Sequence, residues 1–223
     1  MDFKPSTEEI FKLGDIGDYK QSDDLLAIGS ATIFVINLAA ALTRIGLIGG
    51  KALNTYFDLF GLEGILANTS LIVIMFQIAR LGYTKFYTDG GRPWSPFVFV
   101  CFLILVQVLH DLLFYYGVIN VLPSGSNEMV DALKKYSQEN GSRALAGHAA
   151  FLIFVGIVAM FLKERSLTFI IMISAFTLYI MPYVITTLTP KPPPPPPPSE
   201  KKTAPAVANN PGWSGSGWGG PGY

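Results

Sequence analysis

Cysteine occurs once in this chain of 223 residues, histidine twice, and charged side chains make up only 14% of it. The lone thiol, Cys101, has no partner within the chain and lies in an apolar run, which excludes a disulfide framework and a Cys/His zinc site. Ordinary soluble domains carry about 25% charged residues; this chain has too few to coat a globule with solvated side chains. Lysine plus arginine equals aspartate plus glutamate at 16 each, so there is no basic surplus of the kind nucleic-acid binding needs, and no direct nucleic-acid partner is expected. Also missing are a nucleophile elbow, a phosphate-binding glycine loop and an HExxH pair, and no HxxxH or ExxH spacing supports a metal site. The expectation is a non-enzyme without cofactor or metal. The first 24 residues form an acidic segment of seven acids against three lysines with no apolar core, so no cleavable signal peptide is expected there.

What is abundant is apolar sequence, 50% of the chain at a mean hydropathy of +0.41. Crossing a hydrocarbon layer about 30 Å thick takes roughly 20 apolar residues, and five runs qualify: about 25–49, 64–83, 97–122, 144–162 and 167–188. The expected fold is therefore all-α, a polytopic transmembrane domain over 25–188 in contact with the lipid bilayer. Asn68, Thr69, Ser70 and Gln77 interrupt the second run, so four spans is the alternative. Arg44 at the far end of the first run is expected to snorkel to the headgroups, and Gly46 with Gly50 makes a GxxxG pair that would permit close helix contact. Pro96 and Pro123 bound the third run, Pro182 should bend the fifth, and Lys163 to Ser166 leaves only a tight hairpin between the fourth and fifth. Residues 124–141 read as an amphipathic helix with Met129, Leu133 and Tyr136 on one face and Gly141 as its C-cap. Summing Lys and Arg on alternate sides of five spans gives eight against eight, so the positive-inside rule assigns no orientation.

Residues 189–223 change character. Seven prolines, Pro192 to Pro198, predict a stiff polyproline II rod of about 22 Å, followed by glycine-rich sequence carrying Trp213, Trp218 and Tyr223. This tail reads as a spacer with an aromatic tip for docking a partner, or else as a solvated end.

Polar side chains inside an apolar span are costly and face protein or water. Gln107, Asp111 and Tyr115 share one stripe of the third run at four-residue spacing, with His110 three residues from Gln107, and His148 in the fourth run is the candidate to meet them. His110 and Asp111, being adjacent, point about 100° apart and are not expected to pair cleanly. One reading is a proton or ion relay through Asp111 with His110 or His148; the other is packing by interhelical hydrogen bonds. Packing is preferred because a transporter usually shows a polar path across several spans, and here polarity is read only in the third run and part of the second.

The run Leu105 to Leu122 with its His110-Asp111-Leu112-Leu113-Phe114-Tyr115, the following Gly125, Asn127, Met129 and Asp131 with Lys135 and Tyr136, the stretch Ala144 to Phe151, and Met181-Pro182-Tyr183 resemble a membrane-protein family of the large icosahedral double-stranded DNA viruses, the algal ones included. The resemblance covers about residues 92–188. Gly147-His148 stands where the family pattern has an acidic-polar pair, which counts against a relay built on the fourth span. The resemblance implies a minor capsid protein of the virion's internal membrane, joining that membrane to the capsid shell, with other capsid or membrane proteins as partners. A small channel or proton-coupled transporter using Asp111, and a cellular membrane scaffold whose polyproline recruits adaptors, are the alternatives.

Overall fold

In hydrocarbon a backbone must satisfy its own polar groups, and an apolar run of some twenty residues does so as a helix. In the computed structural model, which describes residues 12–187, every one of the five runs is helical. The elements are α1 (Asp24–Arg44), α2 (Gly50–Tyr83, continued by a π turn over Thr84–Thr88), α3 (Pro96–Phe114, continued by a π turn over Tyr115–Ile119), α4 (Glu128–Asn140), α5 (Ser142–Lys163) and α6 (Leu167–Thr186). All but α4 are long and apolar enough to cross a membrane, and among the described residues there is no strand. The protein is an all-α polytopic membrane protein. The chain divides after Thr189, and the C-terminal unit, Pro190–Tyr223, lies outside the described residues together with the tail positions Pro192, Pro198, Trp213, Trp218 and Tyr223.

Side-chain contacts fix the order of the bundle. Asp24 at the start of α1 meets Arg80 late in α2 and Lys163 at the end of α5, so α1 runs antiparallel to both. Ser30 meets Ser174, and Arg44 reaches the Ile185 carbonyl, so α1 and α6 run in parallel. The end of the bundle holding Asp24 is here the first face, and the end holding Arg44 the second. Helix α1 packs against α2, α5 and α6 at once. Small residues allow that central position: Ala27, Ala31 and Ala40 are buried, and backbones approach closely where side chains are short. Phe76, Phe99, Leu103, Leu152, Val155 and Ala159, each without exposed surface or nearly so, join α2, α3 and α5 from the first face inward. Outward-facing Leu105, Leu113, Ile171 and Met172 remain exposed in the bundle and suit acyl chains. Tyr116, Tyr179 and Tyr183, exposed near the second face, have the apolar body and polar tip typical of a membrane interface.

Several local expectations need correction. The first run does not stay helical to residue 49: α1 ends at Arg44, and Gly46, Gly49 and Gly50 all take positive φ in a turn. The Gly46/Gly50 pair thus belongs to a reversal of the chain rather than to one face of a helix, and Gly50 lies under Glu139 of α4. Arg44 does not snorkel. Its side chain is buried, paired with Asp58, and Nη2 donates to the Ile185 carbonyl at 2.9 Å. Polarity is not confined to the second and third spans either, because α1 buries Asp24, Ser30, Thr32, Asn37, Thr43 and Arg44.

The second span begins earlier than its apolar run, at Gly50, and reaches Thr88, a helix of 39 residues. At 1.5 Å per residue that is about 58 Å, nearly twice the hydrocarbon thickness. Gly61, at φ 42° and ψ −116°, breaks it. The apolar run from Gly64 is the crossing part, and residues 50–60 form an arm carrying Asp58 toward Arg44. The third run gives α3 with Pro96 in its first turn and the Ser95 hydroxyl accepting from Val98 N. Helix α6 continues through Pro182 to Thr186, whose hydroxyl donates to the Pro182 carbonyl at 2.7 Å.

Helix α4 starts four residues later than the amphipathic pattern. Pro123 to Ser126 make a lead-in turn in which Gly125 N donates to the Asp131 carboxylate at 2.7 Å, and Asn127 caps the helix by accepting from Val130 N at 3.0 Å. Gly141, at φ 53°, closes it. Its apolar face lies on the bundle itself: Val130 and Ala132 are buried, and Met129 and Leu133 pack against the core.

Candidate functional site

Asp111 lies on α3 and His148 on α5, each about two turns from the second face. Antiparallel packing therefore brings them to one depth, nearer the interface than the middle of the span. Gln107, buried, donates Nε2 to Asp111 Oδ1 at 2.7 Å, as four-residue spacing allows. His148 Nδ1 lies 3.0 Å from Asp111 Oδ2, across the α3/α5 seam. His110 Nδ1 also lies 3.2 Å from Oδ1, although adjacent side chains diverge. Nδ1 sits one bond from the ring's attachment point, and that short reach lets the imidazole turn toward its neighbour's carboxylate.

The carboxylate thus faces three donors and points at protein rather than lipid, with 18% of its side chain exposed. The cluster is only half closed, because His148 is 44% exposed and His110 26%. Each imidazole lies against an aromatic ring: His110 stacks on Phe114 of its own helix at 5.8 Å, and His148 on Tyr136 of α4 at 5.8 Å and 16°. Burial, reinforced by the charges of Asp111 and Glu139, pushes the Tyr136 phenol above its ordinary value. Tyr115 is not part of the cluster. It begins the π turn, its ring meets Tyr116 edge-on at 5.3 Å, and it borders a shallow hollow with Lys134 and Ser137.

Glu139 does a separate job at the same face. Its two carboxylate oxygens accept from Lys51 N at 2.9 Å and Ala52 N at 2.8 Å, capping α2 from another helix. Free amides at a helix N-terminus favour an anion, so α4 is held to the α2 arm by a charge at a dipole.

The first face carries a cluster that sequence reasoning missed. Asp24 and Arg80 are buried with no exposed surface, and Oδ2 accepts from Arg80 Nη2 at 2.6 Å. Lys163 donates to the other oxygen, Oδ1. Arg80 also donates to the carbonyls of Asp18 and Gln21, which fastens residues 12–23 over the end of the bundle. Gly14 N bonds to the Met160 carbonyl at 3.0 Å, and Thr84 Oγ1 donates to the Gly17 carbonyl at 3.0 Å. Ile16 is buried beneath this cover. Asp15 Oδ1 accepts from Gly17 N at 2.8 Å, but burial outweighs that bond and raises its carboxyl above the ordinary carboxylate range. The sequence signals that could have found this cluster were Asp24 at the entrance of one span and Arg80 and Lys163 near the same face of two others.

Along α3 and α5 the apolar side chains of Phe99, Leu103, Leu152 and Val155 stand between the two clusters. Among the described residues no three His, Cys, Asp or Glu side chains are arranged to hold a metal ion. No family model, curated protein or solved structure matches the chain.

Proposed function

We propose that the chain is a structural membrane protein of a large double-stranded DNA virus particle, linking the internal membrane to the capsid shell. The viral setting rests on the sequence resemblance over about residues 92–188. The structural role is supported by one observation above others: the bundle's ends are closed by its own polypeptide. Residues 12–23 cover the first face through Arg80 and Thr84, and α4 covers the second through Glu139 and its apolar side. Interior charges are matched within the chain, Asp24 with Arg80 and Lys163, and Arg44 with Asp58. A bundle so closed serves as an anchor, and segments outside the membrane serve as the means of reaching a shell.

Cross-linking of purified particles tests this. Links from α4, from residues 12–23 or from residues 191–223 to shell proteins are expected, and deleting 191–223 should weaken shell attachment. Absence of the chain from particles would overturn the proposal.

A second reading, a proton-coupled transporter or small channel, is favoured by one feature, the convergence of both histidines on Asp111. Proton flux into vesicles that carry the purified chain, abolished by Asp111→Asn, would establish it over the anchoring role.

A further inference from the structure

His148 differs from His110 in what it ties together. His110 stacks on Phe114 and approaches Asp111, both on its own helix, so its charge state joins no separate elements. His148 belongs to α5, bonds to Asp111 of α3, and lies flat against Tyr136 of α4. Three helices meet on one imidazole. The other titratable or charged groups facing this junction are His110 and Asp111 from α3, and Tyr136 and Glu139 from α4, the last already engaged by the amides of Lys51 and Ala52.

Imidazole is the side chain that ordinarily changes charge between pH 5 and 8. Neutral His148 offers Asp111 an uncharged donor and Tyr136 an uncharged ring. Protonated, it offers the carboxylate a charge-assisted bond and the phenol face a cation, and both contacts strengthen. His148 lies about two turns from the second face, and 44% of its side chain is left uncovered by protein, so a proton has a short path to it from that face. We infer that the Asp111–His148–Tyr136 junction is a proton-dependent clasp that holds α4 on the bundle, tighter at mildly acidic pH and looser above neutrality. The clasp is independent of the anchoring role, and concerns only how firmly the cover on the second face is seated.

Amide hydrogen exchange of the full chain in lipid nanodiscs reads this directly. After correction for the intrinsic pH dependence of exchange, protection over residues 128–140 should fall about fivefold from pH 5.5 to pH 8, the difference between a charged and a neutral hydrogen bond. Protection in α1 should stay constant and serves as the control for global folding. His148→Gln keeps a donor for Asp111 but does not titrate, so the pH dependence in α4 should vanish. His110→Gln should retain it. A pH-independent α4 in the wild-type chain, an unchanged dependence in His148→Gln, or its loss in His110→Gln with His148→Gln unaffected would each overturn the clasp.

Discussion

The two ends of the bundle solve the same problem, holding a soluble segment on a membrane domain, by opposite means. At the first face Asp24 and Arg80 are fully buried, and the one carboxylate lies between that guanidinium and the partly exposed ammonium of Lys163. At the second face the corresponding carboxylate meets two imidazoles that the protein covers only in part. Taking ions out of water costs several kcal/mol each, and the cost is offset only while every partner stays in place. The first face is therefore all-or-none, whereas the second can change by degrees. A buried lock and an exposed clasp differ in how much the rest of the structure depends on them.

The sharpest way to break that contrast is Asp24→Asn, which leaves the buried Arg80 guanidinium without its carboxylate. A loss of about 3 to 5 kcal/mol is expected, read as a large drop in the melting temperature in detergent and in folded yield. Asp111→Asn, with its cluster half exposed, should cost far less in the same assay; equal losses would erase the distinction between the ends. Next in size is Gly17→Val. A Cβ there would stand 2.7 Å from Tyr83 and Trp94, so overpacking of about 1 to 3 kcal/mol is expected, with residues 12–23 becoming protease-sensitive. Glu139→Ala removes the acceptor for two helix amides at the second face and should cost about 0.5 to 2 kcal/mol, measured by chemical denaturation and by faster exchange at Lys51 and Ala52. The smallest effect is expected from Asp15→Asn. The Asp15 carboxyl is raised in the folded state, so folding favours its protonated form, and that preference is lost as pH rises through the folded value. Asparagine keeps an oxygen for Gly17 N without the charge. The variant should be slightly more stable than wild type at pH 7, with the gain disappearing as pH falls to about 4.

How much of this was legible in sequence differs between the same two ends. The Gln107–Asp111 contact follows from helical spacing alone, and His148 was identifiable as the polar side chain on the next span. The depth at which they meet follows from where α3 and α5 end, which depends on a π turn and a capping glycine. Span count and order were also legible, because apolar length is set by the bilayer and needs no knowledge of packing. The first-face cluster was hidden, since Asp24 finds Arg80 at a separation of 56 residues and Lys163 at 139. Each of these residues, taken alone, reads as an interfacial charge. Arg44 misled for the same reason: a cation at a helix end snorkels unless a partner from another helix turns it inward, and Asp58 comes from the α2 arm. That arm was itself hidden, because Gly61 divides the helix by backbone conformation with little change in the local pattern.

The central place of α1 bears on how the protein is made. α1 is the earliest-synthesised of the five spans, yet its polar groups are completed by residues that follow much later: Arg80 and Lys163 for Asp24, Ser174 for Ser30, the Thr177 carbonyl for Asn37 and the Ile185 carbonyl for Arg44. Until α6 leaves the ribosome, this helix sits in the bilayer or beside the insertion machinery with several hydrogen-bonding groups unanswered. A chain stalled or truncated after α5 would retain an incomplete α1, lacking the partners that Ser174, Thr177 and Ile185 supply. Completion of the first span is thereby tied to the last one, since the polar groups of α1 have all these partners only once α6 is in place.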